Sequence, residues 1–187
     1  MTSQENSEAV PAATDVTSNP FSATDVAEIL REQGWANGEL TPAQTAWCER
    51  AAAMLGQQVG DRGGLADLLS LVFHYDAAKL LEQSDTHVTM SRYGARGVLR
   101  QLARLLLENS AEFNSERFKE VVNTIKATSE IRSRELFQPL RLALAGRTGE
   151  GGLDRVILLI DEAAAASFAA RVKAVRERVL EFCSVLD

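Results

Sequence analysis

From residue 22 onward, apolar positions recur every three or four residues, the period of a helix with one buried face, and no segment shows the strict alternation of a strand. Ser22, with Asp25 three residues later, opens a helix over SATDVAEILREQ that turns Val26, Ile29 and Leu30 inward and ends at Gly34. Thr41-Pro42, a cap followed by proline at the first helical position, starts TPAQTAWCERAAAMLGQQ. Trp47, Ala51, Met54 and Leu55 face inward there, and Gly56 and Gly60 close the helix. The stretch DRGGLADLLSLVFHYDAAKLLEQ reads as two short helices hinged near His74 to Asp76. Ser91 opens SRYGARGVLRQLARLLLENS, with Leu99, Leu102, Leu105 and Leu106 as its buried stripe. Asn114 and Ser115 cap SERFKEVVNTIKATSE.

After residue 136 the pattern shortens. Gln138-Pro139 begins a short helix PLRLALA, Gly146 stands where a left-handed C-cap belongs, and GRTGEGG makes a corner before a new helix near Leu153. The last segment, EAAAASFAARVKAVRERVLEFCSVL, reads as one helix with Phe168, Val172, Val175, Val179 and Phe182 as its apolar stripe and Arg171, Lys173, Arg176 and Arg178 around it. Short, glycine-broken helices predict an all-α fold, an irregular orthogonal bundle rather than a coiled coil. Residues 1–21 read as a disordered acidic head. Residues 22–187 read as the helical domain, in two lobes of about 22–110 and 111–187.

Hydrophobic residues at 45% and charged residues at 25% suit a globular chain. Aromatics at 6% are sparse for a surface that stacks single-stranded RNA, so the core must be aliphatic. Cys48 and Cys183 are too few for a disulfide framework or a zinc site, which points to a reducing, cytoplasmic setting. The N-terminus has no secretory signal, and no apolar run approaches the roughly 18 residues of a spanning helix. The net charge of −6 is unevenly placed. Residues 1–90 carry 13 acidic groups against Arg31, Arg50, Arg62 and Lys79, a balance of −9. Residues 91–187 carry the other 16 basic groups against 13 acidic ones, a balance of +3. Such asymmetry fits a chain with one face meant for a polyanion, with a protein-binding surface as the alternative.

The candidate chemistry is recognition rather than catalysis. Arg141 and Arg147 stand beside the glycine corner, where a guanidinium reaches a phosphate or a base edge, or else bonds a helix end or a carboxylate such as Glu135 or Asp154. Arg92, Arg96, Arg100 and Arg104 recur every four residues. On one helix they would stand about 6 Å apart, as a phosphate ridge or as a solvated face paired with acids such as Glu108. His74-Tyr75-Asp76 has no nucleophile spaced to join it and reads as packing and a helix cap. No catalytic residue, metal ligand or cofactor site is expected.

SERFKEVVNTIKATSEIRSRELFQPLRLALAGRTGEGGLDRVILLI resembles the C-terminal anticodon-binding domain of bacterial glutamyl-tRNA synthetases. The matching positions are Leu136, Phe137, Pro139, Leu140, Arg141, Ala143, Leu144 and Gly146, followed by Leu153 and the helix DRVILLI. A weaker similarity in layout extends it over residues 24–178. The chain departs from the family pattern at Ala145, in the GEGG run and at Asp161-Glu162-Ala163. The resemblance implies a fold that grips the anticodon stem and loop of tRNA, with Arg141 reading anticodon bases and Leu153 at the corner that approaches them. The family's catalytic signatures do not occur, so the chain reads as a freestanding, non-catalytic paralogue. A synthetase catalytic chain is the kind of protein partner this implies.

Overall fold

A computed structural model describes residues 19–129, 131, 133–150 and 152–186. Residues 1–18 of the expected acidic head lie outside the described residues. The end of that segment is tied to the body: Asn19 donates from its amide to the Ala52 carbonyl at 2.8 Å and accepts from the Phe21 N–H at 3.1 Å.

The described residues form ten α-helices and no strand, as the periodicity predicts. In chain order they are α1 (Ala23–Glu32), α2 (Pro42–Leu55), α3 (Arg62–Phe73), α4 (Ala77–Leu81), α5 (Ser84–Met90), α6 (Ala95–Glu108), α7 (Ser115–Thr128), α8 (Ser133–Ala145), α9 (Gly152–Ala165) and α10 (Val175–Leu186). Side-chain oxygens of Ser22, Thr41, Asp61, Asp76 and Asn114 satisfy the otherwise unpaired N–H groups at the starts of α1, α2, α3, α4 and α7. In α1 and α2 the bond is reciprocal, with Asp25 and Gln44 reaching back to the cap.

The helices cross in a net rather than running side by side. α1 packs on α2, α9 lies across α2 and α3, α8 touches α6, α9 and α10, and α10 reaches α4 and α6. The buried apolar residues therefore form one core cluster that runs across residue 110, with α9 against the early helices and α6 against the late ones.

Four local expectations are corrected. The helix expected over 162–186 is two, because the chain breaks between Ala165 and Val175. Ser167 takes a positive φ of 54° and Phe168 turns into an aromatic nest, 5.2 Å from Trp47 and 5.3 Å from Phe73. Gln44 then holds the Ala166 and Ser167 carbonyls, and the Ala170 N–H donates to the Trp35 carbonyl. The short helix expected from Pro139 begins instead at Ser133, with Pro139 inside it. Burial of Leu136, Leu140, Leu142, Ala143 and Leu144 offsets the backbone bond that proline cannot make. α6 starts at Ala95 rather than Ser91, since Gly94 has φ 82° and a short α5 precedes it. Finally, Arg178 is not on the rim of the last apolar stripe but fully buried beneath it.

Candidate nucleic-acid interface

The glycine corner between α8 and α9 is clamped from three sides. Gly146 has φ 77° and donates to the Leu142 carbonyl, ending α8 as its position predicted. Arg141 donates from Nε and one terminal nitrogen to the two Asp154 oxygens at 2.7 and 2.8 Å, and from the other to the Gly149 carbonyl at 2.7 Å. This fork joins α8, the corner and the first turn of α9, and the Phe137 ring lies 5.1 Å from the guanidinium. The hydrogen bonds to Asp154 push the arginine's pKa above its ordinary value. Gln138 pairs with both backbone groups of Gly149. Gly149 has φ 152°, and a Cβ there would come within 3.1 Å of the Leu153 side chain.

On the other side Arg147 donates two parallel hydrogen bonds to Asp67 of α3, at 2.5 and 2.9 Å. These bonds hold the Asp67 carboxyl below its usual range. Leu153 is 4% exposed and forms the base of the corner. Of the sequence-predicted residues, Arg141, Arg147 and Leu153 are thus brought together at one structural element. The side chain of Arg141 is only 12% exposed, and three of its five N–H groups are engaged within the chain.

The expected ridge is partly reassembled. Arg96, Arg100 and Arg104 are exposed on α6, whereas Arg92 lies in the turn before it. Arg104 pairs with Glu108 at 3.3 Å in the exposed i,i+4 manner, and Arg96 reaches the Leu186 carbonyl at the end of α10 at 3.4 Å. Arg100 lines the same small hollow as Arg96 and Leu186. Arg92 instead faces the corner. It lines an open hollow of about 330 Å3 with Arg134, Gln138, Thr148, Gly149 and Glu150. The local pattern does not single out Arg134, because its place at the start of α8 follows from a helix longer than the one predicted from Pro139.

Tyr93, next to Arg92, is 94% exposed. The low aromatic content gives no sign of it; the signal in the sequence is a tyrosine between arginine and glycine in a basic run. His74 accepts from the Trp35 indole at 3.2 Å, Tyr75 is buried and donates to the Ala143 carbonyl, and Asp76 caps α4, so this trio is structural. Among the described residues no group of His, Cys, Asp or Glu is placed to hold a metal ion, and no helix is long and apolar enough to cross a membrane.

The sequence that builds this helical net has a counterpart among known families. The family described as anticodon binding domain matches residues 23–167, well over half of the chain. The chain belongs to the anticodon binding domain family. The match takes in α1 through α9 and leaves α10 beyond it. No curated protein and no solved structure matches the chain. Within the family's span lie the corner, the Arg141–Asp154 fork and all of Arg92, Arg96, Arg100, Arg104, Arg134 and Arg147.

Proposed function

We propose that this domain binds the anticodon arm of tRNA, in the manner of the glutamyl-tRNA synthetase type that its corner sequence resembles, and is non-catalytic on its own. The observation that carries the reading is the set of exposed arginines at the corner hollow and along α6. Arg92 and Arg134 line the hollow, and neither donates to a carboxylate among the described residues, while Arg96, Arg100 and Arg104 continue outward along the helix. Phosphates bound by these arginines supply affinity, and the corner supplies base preference.

In this reading Arg141 acts first by fixing the corner's shape and second through its two remaining N–H groups. Arg147 anchors the corner to α3 and Leu153 supports it from beneath. Attachment of an amino acid belongs to a synthetase catalytic chain, acting with this domain in the cytoplasm. The test is titration of fluorescent tRNA with the wild type, Arg100→Glu and Arg141→Ala. Both variants should bind more weakly, and Arg100→Glu should lower the slope of log affinity against log salt by about 0.7 to 0.9 for each phosphate that it no longer neutralises. Unchanged binding in both variants would contradict the proposal.

A further inference from the structure

Arg96, in the first turn of α6, serves two hollows beside the end of α10, and Leu186 is shared by both. One is the small hollow that it lines with Arg100. The other, of about 400 Å3, is built from the end of α4, from α5 and from the last turn of α10, and its size falls within the range of small-molecule sites. Its lining joins two kinds of surface. Leu81, Met90, Val185 and Leu186 supply apolar walls, and Thr86, His87 and Arg96 supply polar groups. No acidic side chain among the described residues lines it, whereas Asp85 and Glu150 line the hollow at the glycine corner.

The polar groups of this hollow keep bonding capacity in reserve. Arg96 makes one long bond, to the Leu186 carbonyl at 3.4 Å, and pairs with no carboxylate among the described residues, so most of its five N–H donors are open to another acceptor. His87 is exposed beside it. Thr86 is 1% exposed, and its hydroxyl has no hydrogen-bond partner among the described residues. Buried polar groups are ordinarily bonded, so an acceptor atom of a bound molecule is the partner that the fold does not provide. We infer that this hollow binds a small monocarboxylate with an aliphatic body, its carboxylate on Arg96 and His87 and its hydrocarbon against Leu81, Met90, Val185 and Leu186. A guanidinium pairs with a carboxylate through charge-assisted bonds, and the apolar walls gain from covering the hydrocarbon. A free amino acid fits less well, because its ammonium meets no carboxylate there. A bare phosphate leaves the apolar walls uncovered. The site goes beyond tRNA binding and uses no residue of the Arg141 corner.

The test titrates the full chain with octanoate by isothermal calorimetry, with octanol and acetate as controls. Octanoate should saturate one site. Octanol, which lacks the charge, should bind about tenfold more weakly, and acetate, which lacks the apolar body, more weakly still. Arg96→Gln removes the cation and Val185→Glu places a carboxylate on the wall, and each should weaken octanoate binding by about tenfold. Both side chains are exposed, so neither variant should shift thermal unfolding. Absence of saturable octanoate binding, octanol binding as tight as octanoate, or wild-type affinity in either variant would overturn the site. RNA takes no part in the measurement, so its failure leaves the tRNA-binding reading standing.

Discussion

Arg178 has no surface left in water, yet no carboxylate among the described residues bonds it. Its guanidinium donates to the Leu71 and Leu144 carbonyls at 2.8 and 2.9 Å, to the Val72 carbonyl, and from Nε to the Lys173 carbonyl at 2.9 Å, with the Tyr75 ring 4.8 Å away. Leu71, Val72 and Leu144 belong to the last turns of α3 and α8, whose carbonyls carry the negative ends of the helix dipoles. One cation thereby closes two helix ends from a third helix. Burial lowers its pKa to about 10, and it stays charged at neutral pH. Replacing it with methionine would keep much of the volume but leave buried carbonyls without donors, so Arg178→Met should cost about 3–5 kcal/mol in urea unfolding. The sequence held a clue, since residue 178 falls between Val175, Val179 and Phe182 on the apolar face. The carbonyls it serves are more than a hundred residues away at Leu71 and Val72, which no local pattern reveals. At the surface, Asp67 supplies the pH prediction. Its folded pKa lies below the ordinary 3.8, so its pairing with Arg147 contributes stability above that value and loses it as pH falls through the lowered one. Asp25 and Asp76, lowered chiefly by backbone N–H bonds at Ser22 and Lys79, act in the same direction. Unfolding free energy should therefore decline below about pH 4, and less steeply in Asp67→Asn, as followed by denaturant melts across acid pH.

Among the elements, those whose signals are local were legible in advance. The caps at Ser22, Thr41 and Asn114 and the glycine at 146 are read from a few neighbouring residues, and the structure places each at a helix end. The break before α10 was hidden, because alanine-rich sequence is a good helix former and only tertiary partners interrupt it. Asp161 is one of those partners. One oxygen accepts the Phe113 N–H ahead of α7 at 2.9 Å, and the other accepts the Val175 N–H at the start of α10 at 2.8 Å. Its acidic side chain, a departure from the family pattern at the sequence level, is thus committed to two backbone groups inside the fold. Asp161→Ala should destabilise the chain by about 1–3 kcal/mol in thermal or urea melts, since both N–H groups are left without that acceptor. Affinity for RNA should change less than in the arginine variants of α6.

At the scale of the whole molecule, some arginines are committed to carboxylates and others are left exposed. Arg62 gathers Asp25, Glu28 and Glu32 along α1, while the exposed arginines Arg92, Arg96, Arg100 and Arg134 lie on the side formed by α6 and the start of α8. A protein of net charge −6 can still offer a polyanion these exposed arginines. The fold class and the corner were readable because they depend on periodicity and glycine. The composition of the proposed interface was not, because the place of Arg134 at the start of α8 depends on a helix longer than the local pattern predicts. The central claim is tested most directly by fluorescence anisotropy of the purified chain with total tRNA, at low and at physiological salt, against single-stranded DNA of the same length. Salt-dependent binding at micromolar concentration or tighter that favours tRNA over the DNA is the predicted result. Absence of binding at low salt, or equal binding to both nucleic acids, would contradict the account.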